Sequence, residues 1–143
     1  MSSITIYHNP QCGTSRNVLA LIRNTGAEPI VIDYLVTPPT REKLTELLTQ
    51  MAIPARDLLR QKGALYDELK LNDLSLNESA LIDAMLAHPI LMNRPIVQTA
   101  LGTRLCRPSE AVIDILPLPQ QAKFTKEDGE PVINAQGERI AGR

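Results

Sequence analysis

The sequence predicts an α/β protein in which helices cover a small mixed four-stranded sheet. Three observations support this prediction: a strand, helix, strand pattern in the first third, a helical pattern from about residue 40 to 88, and a hairpin followed by a helix after residue 90. A strand, helix, strand unit of this length normally makes a right-handed connection between parallel strands. The chain of 143 residues is long enough for one domain with its own core.

The first third supplies one central strand, one helix and a second strand. Ile4 and Ile6 alternate with the two-residue period of a strand, and apolar residues at helical spacing indicate a helix over residues 14–24, with Gly26 as its stop. Residues 29–34 predict a buried strand because three β-branched apolar residues follow one another there.

Residues 37–89 predict a helical insertion. Consecutive prolines in 37–40 break the preceding pattern, and apolar residues then repeat at helical spacing from Leu44 to Met51. A short helix is expected after Pro54. A longer one is expected to begin near Ser75, which has the spacing of a capping box with Glu78.

The last third returns to strands. Residues 96–99 and 103–106 predict a hairpin, and Pro108 suits the first position of a helix that reaches about Ile115. Residues 118–143 are rich in proline, glycine and charge, which predicts a surface tail with at most a small hairpin.

The order of these elements matches a thioredoxin-like, or glutaredoxin-like, core with a helical insertion. Residues 1–143 then form a single domain, with the core in 1–36 and 90–117, the insertion in 37–89 and the tail in 118–143. Proteins of this fold carry a cis proline before the third strand, beside the active-site cysteine. We therefore predict a cis peptide bond at Pro95.

Composition excludes several classes of function. Fifteen Lys and Arg against 16 Asp and Glu leave no basic field for nucleic acid, and 3% aromatic residues offer few stacking platforms. No apolar run approaches the ~20 residues of a membrane span, and no signal-peptide pattern opens the chain. Two cysteines and two widely spaced histidines make neither a disulfide scaffold nor a zinc site. We expect a cytoplasmic monomer without metal, membrane or nucleic-acid partners.

Cys12 is the predicted nucleophile. It lies on the turn between the first strand and the first helix, where the partial positive charge of a helix N-terminus favours the reactive thiolate. The backbone N–H groups that follow, on Gly13, Thr14 and Ser15, can hold an oxyanion. One short segment therefore supplies both a nucleophile and an anion site.

Ser15 replaces the second cysteine of the Cys-x-x-Cys motif of dithiol oxidoreductases. Cys12 therefore cannot close a local disulfide, and a redox cycle must take its electrons from an outside thiol. Cys106, the only other cysteine, is expected to be buried at the end of a core strand. His8, if protonated, would lower the pKa of the thiol, and Asn9 could orient the turn.

Arginine is the residue best suited to bind an oxyanion, because its planar fork donates paired hydrogen bonds. Arg94 and Arg107 fall at strand ends of the core, and Arg60 follows a short helix of the insertion. Their spacing alone does not distinguish them from five equally charged arginines, Arg16, Arg23, Arg41, Arg56 and Arg104. The Cys-x5-Arg loop of cysteine phosphatases is absent, since Val18 occupies the arginine position.

Nearly the whole chain resembles the glutaredoxin-linked arsenate reductases. The shared stretches are Tyr7-His8-Asn9-Pro10, Cys12-Gly13-Thr14-Ser15-Arg16-Asn17, Thr37-Pro38-Pro39-Thr40, Leu58-Leu59-Arg60, His88-Pro89-Ile90-Leu91, Asn93-Arg94-Pro95-Ile96 and Leu105-Cys106-Arg107-Pro108. The resemblance implies Cys12 as nucleophile, His8 as the group that lowers its pKa, and Arg60, Arg94 and Arg107 as anion ligands.

The resemblance also implies a reaction in arsenic detoxification. The Cys12 thiolate attacks arsenate and water leaves; glutathione, as co-substrate, attacks the adduct, and arsenite is released. Glutaredoxin then reduces the mixed glutathione disulfide, and no bound cofactor is needed.

Two other readings remain open at this point. A redox-responsive transcription regulator of the Spx type, which binds RNA polymerase, has a similar turn and fold but no need of the three arginines. A related glutathione-dependent reductase with a different substrate is the other alternative.

Overall fold

A computed structural model describes residues 3–140 of the chain. The structure divides into two compact units. One contains the chain up to Asp33 and from Arg94 onward, and the other is Tyr34–Asn93. The interpretation of residues 1–143 as a single domain stays a prediction.

The first unit contains the mixed four-stranded sheet that the sequence predicted. The strands follow the order β2-β1-β3-β4, with β1 parallel to β2 and antiparallel to β3, and β3 antiparallel to β4. They are β1 (Thr5–His8), β2 (Ile30–Asp33), β3 (Ile96–Thr99) and β4 (Gly102–Leu105). The central strand β1 therefore ends at His8, four residues before the predicted nucleophile.

Helix α1 (Gly13–Arg23) packs its apolar side against the core of this unit. A 3₁₀ helix, Ser109–Ile115, contacts α1. The sequence predicted a helix beginning at Pro108; instead Pro108 lies just before the 3₁₀ segment, and the peptide bond that precedes it is cis.

Strand β2 is not the buried strand that its composition predicted. Ile30 and Val31 are 55% and 40% exposed. The sheet order places β2 at an edge, with β1 as its one neighbour. A run of β-branched residues indicates strand propensity, but it does not reveal whether other elements cover the strand.

The C-terminal region forms the small hairpin that the sequence allowed, but it is not confined to the surface. It forms the hairpin β5 (Phe124–Thr125) and β6 (Pro131–Ile133). Val132 and Ile133 are buried in the same apolar core as the residues of β1 and α1. The segment therefore contributes to the core, and only its connecting residues are rich in charge.

The second unit is helical, as predicted. Its elements are α2 (Arg41–Met51), α3 (Ala55–Leu58), α4 (Ala64–Glu68), α5 (Glu78–Ala87) and a 3₁₀ turn, Pro89–Leu91. Helix α5 packs against α2 and α3. No helix within residues 3–140 combines the length and the apolar character needed to cross a bilayer.

Helix α5 begins later than its predicted capping box. Asn77, not Ser75, is the N-cap, and its side chain accepts the Ala80 N–H at 2.8 Å. The Glu78 carboxylate instead accepts the N–H of Ala55 at 2.8 Å, at the start of α3. A local spacing rule failed here because the glutamate serves a different helix.

Candidate active site

Cys12 is the N-cap residue of α1 and has extended backbone geometry (φ −99°, ψ 121°). Its N–H donates to the Asn9 carbonyl at 3.0 Å, and its own carbonyl accepts the Arg16 N–H at 3.0 Å. The Gln11 N–H donates to the Asn9 side chain at 2.9 Å. This closed turn holds a half-buried thiol at the first turn of the helix.

The Cys12 thiol is activated by its neighbours. Burial raises its pKa, but hydrogen bonds from the Arg94 side chain, the Ser15 N–H and the Arg107 side chain, together with the charge of Arg94, lower the pKa to about 7. Arg107 Nη1 lies 3.8 Å from the Cys12 sulfur. The nucleophilic thiolate is therefore far more accessible at neutral pH than in an ordinary cysteine.

Arg94 and Arg107 are linked to each other as well as to the thiol. Arg94 is 7% exposed and lies two residues before the start of β3, and its peptide bond to Pro95 is cis. Arg107 follows β4, and its Nη1 donates to the Arg94 carbonyl at 2.9 Å. Two of the three predicted anion ligands thus meet at Cys12.

Arg60 belongs to the second unit, directly after α3. Its backbone N–H donates to the Leu91 carbonyl at 2.7 Å. Its role as the third anion ligand stays a prediction.

The five arginines that sequence spacing could not exclude have other partners. Their acceptors are Glu127 for Arg16, Glu28 for Arg23, Asp83 for Arg41, the Leu71 carbonyl for Arg56 and Asp114 for Arg104. Ion pairs or backbone contacts hold these five side chains, and Arg16 also interacts electrostatically with Cys12.

His8 contacts the turn through Ser15. Its Nδ1 lies 2.6 Å from Ser15 Oγ, which also accepts the Asn9 N–H at 3.1 Å; all three residues are buried. Burial lowers the pKa of His8, although Asp33 raises it. A role of His8 in lowering the Cys12 pKa depends on its protonation and stays a prediction. The groups that lower the Cys12 pKa are the two arginines and the Ser15 N–H.

Cys106 is fully buried, and its sulfur faces the Arg104 carbonyl at 3.6 Å. Burial raises the pKa of this thiol to about 12. Cys106 is therefore not a thiolate at physiological pH, and the chain has no other cysteine that could resolve a bond formed on Cys12.

Sequence reasoning missed one residue of this region. Glu127, in the loop of the C-terminal hairpin, binds Arg16 in the first turn of α1. The two residues are distant in sequence, and no motif surrounds Glu127, so no local signal could have indicated the contact. Within residues 3–140, no group of His, Cys, Asp and Glu side chains is arranged to hold a metal ion.

The fold and the site together define a thioredoxin-like protein with one activated thiol, two arginines beside that thiol and no resolving thiol. The sequence model of the ArsC family matches residues 7–115, and the chain belongs to this family. This chain is 59% identical over 140 residues to an arsenate reductase of Yersinia enterocolitica. The match covers 98% of this chain and 99% of the relative. An arsenate reductase of Escherichia coli K12 is 58% identical, and that match has the same coverage of both chains.

A solved structure, the arsenate reductase from Vibrio cholerae, superposes with a TM-score of 0.77 at 46% identity. The match covers 80% of this chain and 98% of the other.

Proposed function

We propose that this protein reduces arsenate to arsenite with glutathione and glutaredoxin as its source of electrons. The observation that carries the proposal is the environment of Cys12. Its thiol has a pKa of about 7 and accepts hydrogen bonds from Arg94 and Arg107, whereas the other cysteine of the chain is buried and protonated. The named activity of the close relatives agrees with this chemistry.

Arsenate is a tetrahedral oxyanion, and its charge suits the two guanidinium groups that surround the thiol. The Arg107 side chain is already held by its hydrogen bond to the Arg94 carbonyl. Binding of an anion therefore costs little additional side-chain conformational entropy. The backbone N–H groups of Gly13 and Thr14 at the start of α1 add donors, and Arg60 is the third arginine in this proposal.

In the first step the Cys12 thiolate attacks arsenic, a sulfur–arsenic bond forms, and one arsenate oxygen leaves as water after taking up protons. Arg94 and Arg107 stabilise the negative charge on the remaining oxygens. Arsenic is still As(V) after this step, because only ligands have been exchanged.

In the second step glutathione supplies the thiol that the chain lacks. Its thiolate attacks the adduct, and the bond between Cys12 sulfur and arsenic breaks with its electron pair left on arsenic. Arsenic is thereby reduced from As(V) to As(III) and released as arsenite, while the two sulfurs form a mixed disulfide between Cys12 and glutathione. Glutaredoxin then takes up the glutathione by thiol–disulfide exchange and restores the Cys12 thiolate. This cycle needs reduced thiols, and we therefore place it in the cytoplasm.

The proposal is tested by following NADPH consumption with arsenate, glutathione, glutaredoxin and glutathione reductase. We expect arsenate-dependent turnover in the parent protein and none in Cys12→Ser. Absence of turnover in the parent would contradict the assigned reaction and favour a regulatory or different reductase role. Turnover that survives in Cys12→Ser would contradict the assigned nucleophile. Cys106→Ser is the matched control and should retain turnover.

A further inference from the structure

The loop of the C-terminal hairpin reaches the first turn of α1. Glu127 accepts two hydrogen bonds from Arg16, from Nε to Oε2 and from Nη2 to Oε1, both 2.9 Å long. The Glu127 N–H also donates to the Asn17 side chain at 3.1 Å. The loop thus binds two consecutive residues of the helix that begins after Cys12.

Arg16 connects this contact to the reactive turn. Its remaining nitrogen, Nη1, donates to the Pro10 carbonyl at 2.9 Å, two residues before Cys12. A methyl group placed on Gly13 would lie 3.7 Å from Arg16 Nη2 and 3.8 Å from Glu127 Oε1. The ion pair therefore lies against the residue that follows the nucleophile.

We propose that Glu127 is a positioning residue for the Cys12 turn and acts through Arg16. The carboxylate occupies one edge of the guanidinium, so that the other edge faces the Pro10 carbonyl. A guanidinium can bind both acceptors at once because its five N–H groups lie in one rigid plane. Without Glu127, Arg16 is a mobile surface side chain and the carbonyl loses a fixed donor.

The same pair sets the charge beside the thiol. Arg16 and Cys12 interact electrostatically, and the Glu127 carboxylate offsets the positive charge of Arg16 at close range. Glu127→Gln removes the offset but keeps an oxygen that can accept from Arg16. Arg16 then stabilises the thiolate more strongly, while the turn is held less firmly.

The chain offers a matched control on the same helix. Arg23, in the last turn of α1, forms an equally short, paired contact with Glu28. Both pairs are exposed to a similar degree. Glu28→Gln therefore repeats the chemical change of Glu127→Gln at the end of α1 away from Cys12.

The test compares the pH dependence of Cys12 alkylation by iodoacetamide in the parent and the two variants. We expect the midpoint to fall by roughly half a unit in Glu127→Gln and to stay at the parent value in Glu28→Gln. Identical midpoints in the two variants would overturn the proposal. This readout does not need arsenate, so it remains decisive if the proposed reductase reaction fails.

A second variant separates position from charge. Arg16→Lys keeps the charge facing Glu127, but a single ammonium group cannot bind the Pro10 carbonyl and both carboxylate oxygens in one plane. If the reductase assignment holds, we expect kcat to fall about tenfold in Glu127→Gln and Arg16→Lys. The alkylation midpoint should be unchanged in Arg16→Lys. Parent-level kcat in both variants would overturn the positioning role.

Discussion

Two opposing influences act on the Cys12 thiol, and the hydrogen bonds outweigh the burial. Burial alone would keep the thiol protonated, whereas Arg94, Arg107 and the Ser15 N–H all stabilise its charge. The resulting pKa of about 7 means that alkylation should be half-maximal near neutral pH and slow below it, where the thiol is protonated. The reactivity of Cys12 therefore depends on the hydrogen-bond donors that stabilise its thiolate.

Arg107→Ala should raise the pKa of Cys12, because the variant lacks a cationic donor that lies 3.8 Å from the sulfur. The alkylation midpoint is expected to move to higher pH, with at least a tenfold loss in kcat/KM for arsenate. Arg104→Ala is the control, since Arg104 binds Asp114 instead of the thiol. Equal effects of the two substitutions would contradict the arginine assignment.

Ser15→Ala should destabilise the protein. The Ser15 hydroxyl is fully buried and partners both the Asn9 N–H and the His8 ring, so its removal leaves buried polar groups unpaired, at a cost of about 1–3 kcal/mol. Ser109→Ala removes only a long hydrogen bond of 3.4 Å to the Thr14 carbonyl. It should therefore lower the free energy of unfolding, measured with urea, by less than Ser15→Ala does. The alkylation midpoint of Ser15→Ala should stay near 7, because the bond from residue 15 to Cys12 comes from the backbone N–H. A midpoint well above this value would show that the hydroxyl itself activates the thiol.

Cys12 was predictable from sequence because its activation begins with local geometry, a strand end followed by a helix start. The choice of the arginines at the site was not predictable, because it depends on contacts between residues far apart in the chain. Arg107, for example, is identified by its contacts with Cys12 and Arg94. The pKa shift of His8 was also beyond sequence reasoning, since it depends on burial and on the charges of Asp33, Arg23 and Arg16.

The C-terminal hairpin is the element that differs most from its sequence pattern. Its loop is charged, as the composition suggested, but Val132 and Ile133 face the core shared with β1 and α1. Strand β6 is only three residues long, too short for an alternating pattern to stand out. The same hairpin carries Glu127, so a segment interpreted as a tail bears on both the core and the reactive turn.

Ile133→Ala should lower the free energy of unfolding by about 2–5 kcal/mol, as expected for truncation of a fully buried isoleucine. Leu118→Ala in the same C-terminal region should have a small effect, because Leu118 is 51% exposed. Urea unfolding followed by circular dichroism measures both. Similar midpoints for the two variants would mean that the hairpin does not belong to the core.

Periodicity predicted the helices of the second unit better than it predicted their ends. The apolar repeat from Leu44 to Met51 coincides with α2, because burial of one helix face requires that repeat. The start of α5 depends instead on which side chain reaches the free N–H groups, and Asn77 does so rather than Ser75. Helix α4 escaped prediction because its five residues are too few to show a period.

The chain as a whole has one accessible thiol and one inaccessible thiol. Cys12 is half-buried with a pKa of about 7, whereas Cys106 is fully buried with a pKa of about 12. We expect Ellman's reagent to modify one thiol rapidly in the native protein and the second only after unfolding in urea. Rapid modification of both thiols in the native state would contradict the buried, structural role of Cys106.

The sheet topology was predictable from the sequence because each connection is short and obeys simple rules. A strand, helix, strand unit gives the parallel pair β1 and β2, and a tight turn gives the antiparallel pair β3 and β4. The pairing of β1 with β3 joins strands separated by the entire helical unit. That pairing was inferred from the thioredoxin-like order of elements, since no local pattern encodes it.

The central claim is that Cys12 forms the bond to arsenic and that an outside thiol must resolve it. The most direct test incubates the protein with arsenate and glutathione, without glutaredoxin, and measures the intact mass and the modified peptide. We predict one glutathione per chain, attached to Cys12 and formed only when arsenate is present. A Cys12–Cys106 disulfide, or arsenite production with Cys12 unmodified, would contradict the account.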